Sequence, residues 1–112
     1  MGVGRVASKN QENMNTGELI EDVAKRYGVT EEMVMSRQRH RVYADCRTII
    51  CYTLHKAYGI SKSEIARIMH RTHGDVIYHI KKGEDWERMP MLNLRGATII
   101  LEEQMRYERE SA

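Results

Sequence analysis

Three arginines alternate along Ser36-Arg37-Gln38-Arg39-His40-Arg41, a basic segment with no hydrophobic period. A guanidinium carried on such a loop can lie along phosphates or enter a narrow minor groove. The plainer reading is a solvated, flexible loop. A second group, Arg71-Thr72-His73-Gly74-Asp75, falls where a new helix begins. There an imidazole can donate to a base or a phosphate, and a threonine methyl can meet a thymine methyl. Asp75 suits a helix N-terminus, repels phosphate, and can accept from a cytosine amine. Ser61-Lys62-Ser63-Glu64 is a capping box, and a helix start with an adjacent lysine is a common phosphate anchor. Lys56, Lys81, Lys82, His70, His79 and Tyr78 are further candidates for the same surface.

Other reactive side chains point elsewhere. Cys51 and His55 are four residues apart, with Cys46 nearby, but a structural zinc site wants four ligands. Cys46 also falls on a different face of the same helix, so these read as buried thiols. Glu102, Glu103, Glu108 and Glu110 sit on a mixed-charge terminal helix and read as solvated. With no clustered carboxylates and no metal-ligand spacing, neither an enzyme nor a cofactor is expected.

The elements that must position these residues are all helical. Leu19, Ile20, Val23, Ala24 and Tyr27 recur at helical spacing after a cap at Asn15 or Thr16, and Gly28 is a natural stop. Thr30-Glu31-Glu32 opens a short helix with Met33, Val34 and Met35. A longer helix is predicted from Val42 to Tyr58, ended by Gly59. Two short helices, 62–69 and 73–82, follow with a three-residue turn, and Gly83 closes the second. That pair is a helix-turn-helix. Residues 84–90 read as a connector carrying Trp86. A last helix spans about Leu92 to Glu108, with Leu94, Ala97, Ile100, Leu101 and Met105 inward. The stripe Leu94, Leu101 and Met105 either caps the core, the favoured reading, or forms a dimer seam.

Length and charge fit this plan. The 112 residues suit one domain, with 41% hydrophobic and 30% charged residues. The chain is too short for most enzymes that must hold a nucleotide. Its net charge is only +2, but residues 36–82 carry ten Lys/Arg against three Asp/Glu, plus all five histidines. The flanking segments are both net acidic. A basic centre between acidic ends is the footprint of a nucleic-acid face on a small domain. No apolar run approaches a membrane span, and no secretory h-region opens the chain, so a cytoplasmic location is expected.

The string VAKRYGVTEEMVMSRQRHRVYADCRTIICYTLHKAYGISKSEIARIMHRTHGDVIYHIKK carries a more specific signal. It resembles the C-terminal DNA-binding domain of the bacterial replication initiator DnaA, over about residues 20 to 82. The order of features matches: a helix ending in a tyrosine-containing turn, a short helix, a basic loop, a long helix, a capping-box helix and a recognition helix. The resemblance implies that Arg39 enters the minor groove, that Arg47 contacts phosphate, and that His55 faces the backbone. It also implies that Ser61, Lys62 and Arg71 anchor phosphates, and that Thr72, His73, Gly74 and Asp75 stand at the base-reading tip. The family's tip reads Arg-Asp-His-Thr-Thr. Here only the arginine and the histidine match in type, and one residue is missing where the family has a Gly-Gly pair. DnaA's ATPase module needs a Gly-rich loop ending in Gly-Lys-Ser/Thr, and no such string occurs.

These readings set the expectations. The fold is all-α, a tri-helical core with a helix-turn-helix, flanking N-terminal helices and an extra C-terminal helix. Residues 1–14 form a disordered tail, 15–83 the DNA-binding domain, and 84–112 a connector and helix packed on it. The function is double-stranded DNA binding at replication-initiator-type boxes, by a bacterial or phage protein acting in replication initiation or its regulation. The alternative is a protein-interaction module that docks an acidic replication or regulatory partner. No nucleotide and no membrane are expected as partners, and the chain is a monomer or weak homodimer.

Overall fold

The computed structural model describes residues 16–111; the expected tail at 1–14 and a cap at Asn15 lie outside the described residues. Six α-helices follow in chain order: α1 (16–26), α2 (Glu31–Met35), α3 (Arg41–Lys56), α4 (Lys62–Met69), α5 (His73–Arg88) and α6 (Leu94–Ser111). A 3-10 turn, Pro90–Leu92, joins the last two, and no strand occurs among the described residues.

The long helix α3 is the axis. Its residues from Cys46 to Leu54 are all buried, because α2, α4, α5 and α6 pack around it. Leu19, Ile20, Val23 and Ala24 of α1 join the same core. Over this stretch α3 is buried on every side. Burying each Ile or Leu stabilises by about 1.5–3 kcal/mol, so this axis supplies most of the fold's apolar gain. Gly28 and Gly59 end α1 and the turn after α3 with positive φ, 70° and 71°, where a side chain would be strained.

Helices α4 and α5 form the helix-turn-helix with the predicted starts. Ser61 Oγ accepts from Glu64 N at 3.2 Å and Thr72 Oγ1 accepts from Asp75 N at 3.1 Å, capping each helix. Between them His70 takes the left-handed conformation, φ 55°, and Arg71 N closes the turn on Ala66 O at 2.9 Å.

Two expectations at the rear are corrected. First, α5 does not stop at Gly83 but continues to Arg88. Gly83 is there for closeness: a Cβ at this position would stand 2.5 Å from the Cβ of Tyr52. The helix ends instead at Met89, ahead of Pro90, which cannot extend it. Trp86, expected in a connector, is therefore a buried residue of α5.

Second, α6 is rotated from the predicted orientation. Gly96, Ile99, Ile100 and Glu103 are its buried residues, with Ala97 half-buried. Leu94, Leu101 and Met105 point outward. The true inner stripe contains a glycine and a glutamate, so it carries little hydrophobic signal. Gly96 lets α6 approach Trp86, whose ring carbons would lie 2.7 Å from any Cβ there. Glu103, predicted to be solvated, is enclosed with Arg106 Nε at 3.1 Å and Arg26 Nε at 3.4 Å.

Candidate nucleic-acid interface

The basic loop owes its position to the helix before it. Five residues are too few for α2 to be stable alone. Its last carbonyls have no intrahelical partners, and no basic residue lies in its last turn. Two arginines from distant elements supply the missing donors. Arg47 Nε donates to Val34 O at 2.7 Å, and its Nη2 donates to Ser36 O at 2.7 Å and Met33 O at 3.5 Å. Arg71 Nη2 donates to Ser36 O and, at 3.4 Å, to Val34 O. The loop is thus tied to α3 and to the helix-turn-helix through one set of carbonyls.

This corrects the phosphate role expected for Arg47. The residue is 5% exposed and its guanidinium is committed to main-chain oxygens. Burial and the neighbouring Arg71 charge push its pKa below the ordinary arginine value. Arg47 is an internal tie that orients the loop. Arg71 shares that tie but remains half-exposed.

Above the tie lies a cleft of about 560 Å³. One wall is the loop, with Arg37, Arg39, His40 and Arg41, all exposed. The other is the start of α5, with Thr72, Asp75 and Tyr78. Asp75 is the one carboxylate among the residues lining it. The structure therefore brings Arg39, Arg71, Thr72 and Asp75 around one opening. His73 and Gly74 stand exposed beside it at the tip of α5. A Cβ on Gly74 would meet only Thr72 Oγ1, at 3.9 Å, so the fold itself does not require a glycine here.

Ser61 and Lys62 lie elsewhere. Lys62 lines a second groove of about 610 Å³, with Tyr52, His55, Lys56, Lys81 and Arg88. That groove runs between α3 and the other flank of α5. Helix α5 is thus a ridge with a cationic recess on each side. His55 is half-buried, with Nδ1 3.3 Å from Ile60 O, and Lys56 pairs with Glu87 at 2.5 Å.

His79, a further candidate from sequence, is internal. Its Nδ1 hydrogen-bonds Thr48 Oγ1 at 2.8 Å, and burial, with the nearby Arg47 and Arg71 charges, lowers its pKa to about 4. It is a neutral core residue at ordinary pH. Tyr78 is exposed, with Lys82 Nζ over its ring at 5.5 Å. Ile77 is exposed on α5 and lines the second groove. Val76, Ile80 and Gly83 define the inner face of α5, and Ile77 lies about 100° away from Val76.

Burial drives the thiols of Cys46 and Cys51 up to about 12, so both are unreactive. Among the described residues, no group of three or more His, Cys, Asp or Glu is placed to hold a metal ion. No helix among them is long and apolar enough to cross a membrane.

A capped helix-turn-helix, a ridge helix with an exposed tip, and a basic loop locked beside it define a DNA-binding module of the helix-turn-helix class. Residues 17–82 match the bacterial DnaA protein helix-turn-helix family, and the chain belongs to it. No solved structure matches the chain.

Proposed function

We propose that this chain binds double-stranded DNA at a replication-initiator-type box and acts in replication initiation or its control. The single observation that supports this most is the tie at Ser36 O. It sets an exposed arginine loop against the tip of α5, with one cleft between them. In this reading α5 lies in the major groove, with Thr72, His73, Gly74 and Asp75 at base edges. Arg39 reaches the adjacent minor groove. Ser61 and Lys62 hold phosphate on the opposite flank, and Arg71 fixes register from beneath the cleft. The Thr72 hydroxyl oxygen already accepts from Asp75 N, which leaves its methyl for a thymine. Asp75 repels phosphate and accepts from a cytosine amine, so it favours reading over generic attraction.

The test is fluorescence anisotropy with a duplex carrying the nine-base-pair initiator box and a scrambled duplex, at two salt concentrations. The box should bind more tightly, and both affinities should fall steeply with salt as counterions are released. Arg39→Ala should weaken box binding by about 1–3 kcal/mol, whereas Lys62→Ala should weaken both duplexes alike and reduce the salt slope by about 1. Equal affinity for the two duplexes would remove box recognition and leave a general DNA binder. No binding at low salt would overturn the reading and favour docking of an acidic protein.

A further inference from the structure

Among the described residues, the outer face of α6 has no partner. Leu94, Leu101 and Met105 are 69%, 55% and 48% exposed. The inner face of the same helix is fully used by Gly96, Ile99, Ile100 and Glu103. With Thr98, also exposed, the outer residues recur at intervals of four, three and four. That is the spacing of a two-helix seam, in which apolar positions alternate between three and four residues apart. The described fold leaves this stripe uncovered, yet the stripe has the period of a pairing surface.

Charge beside the stripe says what covers it. Arg95 and Glu102 each directly follow a seam leucine, so they flank the stripe on one side. Both are exposed, and both are held in place. Arg95 Nη2 donates to Arg26 O at 2.5 Å, with its guanidinium 4.1 Å from the Tyr27 ring centre. Glu102 accepts from Arg26 Nη1 at 2.6 Å. Along the flank the order is positive, then negative, one heptad apart. Laid against an identical helix running the opposite way, Arg95 meets Glu102 of the second copy, and Glu102 meets its Arg95. Laid parallel, each would face the other flank of the second copy, where Ala97 and Gln104 stand, and neither charge would find a partner. Flanking charges set orientation in paired helices.

We propose that α6 pairs with α6 of a second copy of this chain, antiparallel about a two-fold axis. Leu94 packs against Met105 of the second copy and Leu101 against its Thr98. Such an isologous contact closes at two subunits. The pairing leaves the basic cleft open. Asn93, at the start of α6, donates to Asp45 Oδ2 at 3.4 Å, and Asp45 lies about 200° around α3 from Arg47. The contact of α6 and the Arg47 tie are therefore on different sides of α3, and no seam residue is among those lining the cleft. The proposal does not depend on the DNA reading.

The test is sedimentation equilibrium of the full chain over a concentration series reaching hundreds of micromolar. The mass should rise from 13.1 kDa toward twice that value. Leu101→Glu, at an exposed position, should keep helix content by circular dichroism and hold the mass at one chain. Arg95→Glu and Glu102→Arg should each be monomeric alone, because every flanking pair then repels. Mixed together they should form a heterodimer, because every flanking pair then attracts. A monomer at all concentrations, an association unaffected by Leu101→Glu, or a mixture that fails to pair would each overturn the proposal. The first of these would leave the seam to residues 1–15 or to a different protein.

Discussion

The two sides of α3 are held by different chemistry. Toward the cleft, a short helix and an exposed loop hang on two guanidinium groups that fill five hydrogen bonds to main-chain oxygens. Toward α6, the contact is close steric fit: Gly83 against Tyr52, Gly96 against Trp86, and the stacked rings of Tyr58 and Tyr107, 4.1 Å between centres. Polar ties fix the direction of a segment while leaving its outer surface bare. Apolar fit contributes stability but covers what it touches. A surface that must stay charged and open is better held by the first, and the rear by the second.

This contrast can be broken by substitution. Arg47→Leu nearly keeps the volume but removes three charge-assisted hydrogen bonds to main-chain oxygens, and should cost about 3 kcal/mol of stability. Denaturant melts will show it, and DNA affinity should fall with it as the loop loses its direction. Arg39→Ala, by comparison, should lower affinity with no change in the melt. If Arg47→Leu melts like the parent, the tie is not structural. On the rear, Gly83→Ala forces a methyl into Tyr52 and should destabilise by about 1–3 kcal/mol through overpacking. Its affinity for DNA, measured well below the melting temperature, should be unchanged.

A pH series separates the two sides further, because each buries one titratable group with the opposite sign. Burial, reinforced by a hydrogen bond and charge from Asp22, pushes the Glu103 pKa up to about 7, while sharing that proton holds Asp22 below its usual range. The folded state keeps a proton on Glu103 that the unfolded chain releases near 4.5. Its contribution is full below that value and is lost as pH rises through about 7. His79 behaves in reverse: its contribution is full above 6.5 and is lost as pH falls through about 4. The two slopes oppose each other in the parent. Glu103→Gln should expose the His79 slope, so that stability rises more steeply with pH between those limits in thermal melts. An unchanged profile would mean that Glu103 keeps an ordinary pKa.

The smallest effect belongs to the turn. His70 sits at φ 55°, where glycine carries no steric penalty. His70→Gly should raise stability by about 0.5–1 kcal/mol, less than the full relief because the unfolded chain also gains freedom. A lower melting temperature would show that the histidine ring makes a contact worth more than the strain.

The legible parts of the fold were those with local signals. Capping residues marked the starts of α4 and α5, and the glycines at 28 and 59 marked genuine ends. Gly83 misled because a glycine that permits close packing looks, in one dimension, like a glycine that ends a helix. Glu103 and the outward leucines of α6 inverted the usual pattern, and only the surrounding charges reveal why. At the candidate site, Arg39, Arg71, Thr72 and Asp75 were singled out by residue type and by the family resemblance, and they line one cleft. The inward turn of Arg47 was not, since it depends on carbonyls thirteen residues earlier in the chain.

The passage of α5 through Gly83 has a mechanical consequence. Sixteen residues form one rod about 24 Å long, from His73 at the tip to Arg88 behind the core. Its rear half is wedged between Tyr52 and α6, so the rod has no hinge at which the tip could swing. A duplex that meets this tip must supply the compliance itself. Stiff and pliant sequences would then differ in how well they seat, even at base pairs that no side chain touches.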